Sequence, residues 1–220
     1  MFESRVICIC GLPGIGSVGK VAADYLATAL ECSTIMPFFS HSFPPQVMVS
    51  QGLAELMHAE LMRPKEKKNM LILSGDAQPL DVVGMYELAG NILQAIKEQG
   101  VTDVITLAAY VGETNEKILG TSTDLDSATA LCECKIPLLR SGAVGGLNGL
   151  LAGLAPLYDL RGFCLLATSS GADPVDILAA TNLLGAIKEL LHLKIDITLM
   201  EPIIEEPEEV EAQEVDMNYR

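Results

Sequence analysis

Gly11-Leu-Pro-Gly14-Ile-Gly16-Ser-Val-Gly19-Lys20 follows a short apolar run over residues 6–10 and leads into helical periodicity over 18–30. A strand, a glycine turn and a helix in that order predict the opening of an α/β fold. Gly14-x-Gly16-x-x-Gly19 after a strand matches a dinucleotide fingerprint, which also requires an acid about twenty residues on to hold the ribose. That region reads Phe38-Phe39-Ser40-His41 and offers no carboxylate. Gly14-x-x-x-x-Gly19-Lys20 approaches a phosphate-binding loop, with Lys20 as the phosphate contact. Val21 stands where such a loop needs Ser or Thr for its metal. The plainer reading is that these glycines permit a tight turn and close helix–strand packing.

Working outward, residues 32–39 form a second apolar stretch that ends before Pro44-Pro45, a pair no helix or central strand accepts. Residues 47–49 and 55–63 are expected as two strands of a small antiparallel excursion, and 69–73 returns as a buried strand. Asp81 as N-cap and Gly100 after the last turn specify a helix over 82–99. Strands are expected over 103–107, 118–121 and 163–167, and helices over 127–132, 147–157 and 175–191. Asp173 with Pro174 behind it is the expected cap of the last helix. The alternation predicts an α/β fold: three layers, α/β/α, around a mostly parallel, doubly wound sheet, with the 46–73 excursion at one edge. Loops 11–19, 75–79, 108–113 and 168–173 then lie along the carboxyl edge, where open α/β sheets place ligands. Gly14, Gly16, Gly19, Lys20, Asp76 and Gln78 are the ligand-binding candidates there.

The chain has 220 residues, half of them apolar, enough for one domain with a full core. A single domain is expected over 1–203, followed by an acidic tail over 204–220. Net charge is −15, and the last twenty residues hold eight acids against Arg220 alone. Without a clustered cationic face, nucleic acid and anionic membrane are poor partners. No apolar run reaches membrane-spanning length, and the opening Phe2-Glu3-Ser4-Arg5 is not expected to be a signal peptide. Six cysteines fall without a C-x-x-C pattern, and the three histidines lack ligand spacing, so no metal site, no cofactor and a reducing cytoplasmic setting are expected. Cys8 and Cys10, two apart on a strand, share one face. Ser169 and Ser170 precede glycine without forming a nucleophile elbow, so no catalytic residue is assigned.

Several segments together resemble the proteasome assembly chaperone family, type-two branch. The opening loop, continued by Asp24-Tyr25-Leu26, is similar to that family's first motif. Phe43-Pro44-Pro45, Gly75-Asp76-Ala77-Gln78-Pro79, Gly112, Gly145-Gly146 and Asp173-Pro174 with Asp176 follow in the family's order; Ala108-Ala109 replaces its usual glycine-containing turn. The likeness spans about residues 5–200. It implies an α/β/α fold similar to nucleoside phosphorylases without their catalysis, and a homo-oligomer whose partners are proteasome α-subunits or the 20S particle. An ATP-grasp-like or nucleoside-processing enzyme using the carboxyl-edge loops is the alternative.

Docking in that family is attributed to a C-terminal tail ending hydrophobic-Tyr-any residue. This chain ends Met217-Asn218-Tyr219-Arg220. Tyr219 is penultimate as the tail requires, while Asn218 takes the hydrophobic position and Met217 lies one place earlier. An aromatic ring beside a free carboxylate suits a pocket with a basic rim, and the acidic spacer holds the tether extended by self-repulsion.

Overall fold

Ile7–Cys10 (β1) buries all four of its side chains, and the alternation divides them between two cores. Ile7 and Ile9 pack on one face of the sheet with α1 (Val18–Ala29) and α5 (Ile177–Leu190). Cys8 and Cys10 face the other side, 3.6 Å apart at sulfur, against α2 (Val82–Glu98) and α4 (Gly146–Leu154). A strand buried on both faces reads as a continuous apolar run, as this one does. The computed structural model describes residues 2 and 5–198; the acidic tail, with Met217, Tyr219 and Arg220, lies outside the described residues.

The remaining strands are β2 (Cys32–Phe38), β3 (Val47–Ser50), β4 (Leu53–Leu56), β5 (Ala59–Pro64), β6 (Met70–Gly75), β7 (Asp103–Tyr110), β8 (Ile118–Ser122) and β9 (Arg161–Thr168). The main sheet has seven strands in the order β2-β5-β6-β1-β7-β9-β8. Strands β6, β1, β7 and β9 run parallel, whereas β5 and β8 run antiparallel to their neighbours. Short α3 (Leu125–Glu133) packs against β8. Helices on both faces of a mostly parallel sheet make the α/β/α layering expected from the alternation.

Two expectations need correction. The 46–73 segment is not one edge excursion. Strand β6 lies beside central β1, β5 pairs with β6 inside the main sheet, and only β3 and β4 stand apart as a two-stranded hairpin. The run 55–63 breaks at Met57–His58 because the His58 N–H turns to the Asp76 carboxylate at 3.0 Å instead of continuing a ladder. The last helix also starts later than expected. Its cap is Asp176, whose Oδ1 accepts the Ala179 N–H at 2.9 Å, so Asp173, Pro174 and Val175 lie outside it. The other caps hold: Asp81 accepts the Gly84 N–H at 2.8 Å, and Gly100 follows α2 with φ +81°.

Glycine earns its place in the opening turn by close approach. A Cβ on Gly11 would lie 2.0 Å from the Gly19 carbonyl oxygen, and one on Gly19 would lie 2.1 Å from the Leu107 carbonyl oxygen. The loop between them turns through Gly16 and Ser17, at φ +57° and +47°. Helix α1 therefore leaves β1 and lies tightly across β7.

Candidate functional site

The loops after β1, β6 and β7 and the segment before α4 enclose a cleft of about 380 Å³ at the carboxyl edge of the sheet. It is lined by Leu12, Ala108 and Leu166, by Gly14, Ile15 and Gly19 of the opening turn, and by Val144 to Gly146 ahead of α4.

Two side-chain amides fix this arrangement. Asn148, on the first turn of α4, accepts the Leu12 N–H at 3.0 Å and donates to the Leu12 carbonyl at 2.9 Å. Gln78 accepts the Leu147 N–H at 2.6 Å and donates to the Pro13 carbonyl. Each amide spends one donor and one acceptor on backbone that would otherwise be unpaired. A third clamp closes the adjoining corner. The Asp176 N–H donates to the Gly16 carbonyl at 2.8 Å, and its Oδ2 accepts the Ser169 hydroxyl at 2.7 Å. The carboxyl-edge loops are thus tied to one another by atoms that a ligand would otherwise use.

The candidates from sequence divide. Gly14, Gly19 and Gln78 line the cleft. Gly16 does not line it and packs close to Asp176 instead. Lys20 does not line the cleft; its Nζ pairs with Asp24 at 2.9 Å, one turn along α1. Asp76 turns to His58, accepting its N–H and lying 3.4 Å from its Nδ1, and so braces the base of the β3–β4 hairpin. Asn148 stands outside the candidates from sequence. The signal was present: an asparagine inside an otherwise apolar helical segment needs a buried partner.

Tyr110 is the one titratable side chain among the described residues lining the cleft, so these walls bring together no general acid with a base and no cation for a phosphate. Burial pushes the Cys164 thiol up to about 11, and the Cys10 thiol beside Cys8, then burial, raises Cys8 well above its ordinary value. Thiols held in that direction are structural rather than nucleophilic. Among the described residues no cluster of three or more His, Cys, Asp or Glu side chains converges, and no helix is long and apolar enough to cross a membrane.

The fold and its edge define a class: an α/β/α protein whose carboxyl-edge loops are locked to each other by amide and carboxylate side chains. Within that class the chain belongs to the PAC2 family, whose model matches residues 8–217. It is 34% identical to an uncharacterised protein of Methanocaldococcus jannaschii over 203 residues, which cover 90% of this chain and 78% of that one. Among solved structures it is similar to Pyrococcus furiosus PbaB, described as an archaeal proteasome activator, with TM-score 0.79 and 31% identity over 90% of this chain and 89% of that one. It is also similar to Pyrococcus furiosus PbaA, described as an archaeal homolog of proteasome-assembly chaperone, with TM-score 0.76, 25% identity and coverage of 88% and 80%.

Proposed function

We propose that this chain is a cytoplasmic proteasome-associated protein, an assembly chaperone or activator, that acts by binding rather than by catalysis. The observation that carries the reading is the likeness to the archaeal activator PbaB, which extends over nine-tenths of this chain at 31% identity. The cleft supports it: the amides of Asn148 and Gln78 are occupied with backbone, and the walls bring no acid and base together. The body of residues 1–203 is one domain, and the acidic segment 204–220 is a tether.

The working end of this reading is the C-terminus. Met217, Tyr219 and Arg220 dock on proteasome α-subunits or the 20S particle, with the tyrosine ring as the recognised group. Homo-oligomerisation presents several tails at once, so that individually weak contacts combine by effective concentration. The test is capture of 20S particles and of isolated α-subunits by full-length protein and by protein lacking residues 217–220. Full-length protein retains the partner and the truncated form does not. Failure of the full-length protein to bind either overturns the reading, and undiminished binding by the truncated form overturns the tail contact.

A further inference from the structure

Among the described residues the β3–β4 hairpin pairs with no other strand, and its eight strand residues are all exposed. It turns through Gln51 and Gly52, both at positive φ, the geometry of a tight two-residue hairpin loop. Along it Val47, Met48, Val49, Leu53 and Leu56 are 45–69% exposed, so among the described residues neither face is covered. An isolated two-stranded hairpin is at best marginally stable in water. The apolar surface continues at its base into a groove of about 460 Å³ lined by Phe39, Phe43, Pro44, Pro45, Val47 and Leu56. Beyond the groove the Leu80 N–H donates to the Ser42 carbonyl at 2.8 Å, which sets the start of α2 alongside. There Leu80, Val82, Val83 and Tyr86 are 53–71% exposed.

We propose that this continuous surface, hairpin, groove and first turns of α2, is where a second copy of this chain binds. Phe39 and the nine residues above expose roughly 100 Å² each, about 1,000 Å² in all, against about 800 Å² per partner for a stable interface. Charge selects the occupant. Of the −15 on the chain, −7 lies in the last twenty residues and −8 in the rest, so copies of this acidic body meet most favourably where charge is sparse. Residues 42–57 and 80–87 contain three charged side chains, Glu55, Asp81 and Glu87, and Asp81 is engaged as the cap of α2. A basic partner finds few carboxylates to pair with on this face, whereas a second acidic copy meets least repulsion where charge is sparse. Two arms packed about a two-fold axis give each copy the same patch and cover both hairpins. The inference deepens the proposed function, since it rests on the homo-oligomer and names its contact surface.

The test is solution mass over a concentration series, by sedimentation velocity and light scattering, on the full-length protein. Leu53→Glu with Leu56→Glu places like charges face to face in the contact, as does Val83→Glu on the α2 side. Each is expected to weaken self-association at least about 100-fold. Leu125→Glu with Leu157→Glu, at sites 81% and 78% exposed outside the patch, is expected to leave it unchanged. Circular dichroism checks that every variant folds. A wild-type protein that stays monomeric throughout, or patch variants that associate as the wild type does, overturns the inference. Because the readout is mass, loss of proteasome capture without loss of association tells against the docking reading alone.

Discussion

Asn148 holds both backbone groups of Leu12 across 136 residues of chain, accepting the N–H at 3.0 Å and donating to the carbonyl at 2.9 Å. The side chain is 3% exposed, so water cannot replace it. Asn148→Leu keeps the branched shape and removes both bonds, leaving a buried donor and a buried acceptor without partners. Each costs about 1–3 kcal/mol, so the pair is expected to lower stability by about 3 kcal/mol and the melting temperature by about 6–12 °C. Urea and thermal denaturation measure it, and a loss below about 1 kcal/mol refutes the clamp.

The glycines of the opening loop separate two explanations by position. A Cβ on Gly19 meets the Leu107 carbonyl oxygen at 2.1 Å, so Gly19→Ala must move α1 away from β7 and is expected to cost about 2–3 kcal/mol. Gly14 has an extended backbone at φ −166°, and its Cβ would meet nothing closer than 3.9 Å. Gly14→Ala is expected to stay within about 0.5 kcal/mol of the wild type and to fold normally. Equal losses at the two positions contradict the packing account.

Packing of this kind was visible in the sequence at β1 and invisible elsewhere, for identifiable reasons. Ile7 and Ile9 against Cys8 and Cys10 already gave two faces, and the glycine turn gave the direction of α1. Asp81 and Gly100 were legible because caps and stops are local chemistry. Asp176 was not, since Asp173-Pro174 offers an equally good local signal three residues earlier. The choice is made by the distant contacts of Asp176 with Gly16 and Ser169. The interruption at His58 was hidden in the same way, because the alternation of 55–63 continues through it while the Asp76 carboxylate ends the ladder. Of the site, the loops and Gly14, Gly19 and Gln78 were legible from sheet-edge topology. The pairing of Lys20 with Asp24 was equally legible, since the two stand four residues apart on one face of α1.

At the opposite end of the sheet Asp103 is fully buried at the start of β7, and Arg161 reaches it through Nε at 2.6 Å. The Thr102 hydroxyl donates to its other oxygen at 2.6 Å, and Arg5 lies 3.6 Å away. Arg161→Met removes the main cation and leaves the carboxylate in the interior. Breaking one side of such a pair is expected to cost about 3–5 kcal/mol. Adding Asp103→Asn removes the stranded charge, so the double variant is expected to be more stable than Arg161→Met alone. Chemical denaturation of the four members of this cycle measures the coupling, and simple additivity rules it out.

Asp81 gives the fold a definite acid response. The Ser42 side chain, then the Gly84 N–H, hold its carboxyl below the ordinary value near 3.8. A carboxyl lowered in the folded state stabilises fully above the unfolded value and stops doing so as pH falls through the folded one. Asp81→Ala is therefore expected to lower the melting temperature by roughly 2–4 °C at neutral pH. That deficit should stay constant down to about pH 5 and shrink below pH 3.8, because the wild-type carboxyl is then being protonated. Asn caps a helix about as well as Asp and does not titrate near pH 4. Asp81→Asn should therefore keep most of the cap at neutral pH, and its advantage over Asp81→Ala should not change with pH in this range. Melting curves of the three proteins between pH 3 and 7 make the comparison. A wild-type advantage over Asp81→Ala that grows as the solution is acidified would contradict the lowered carboxyl and the cap built on it.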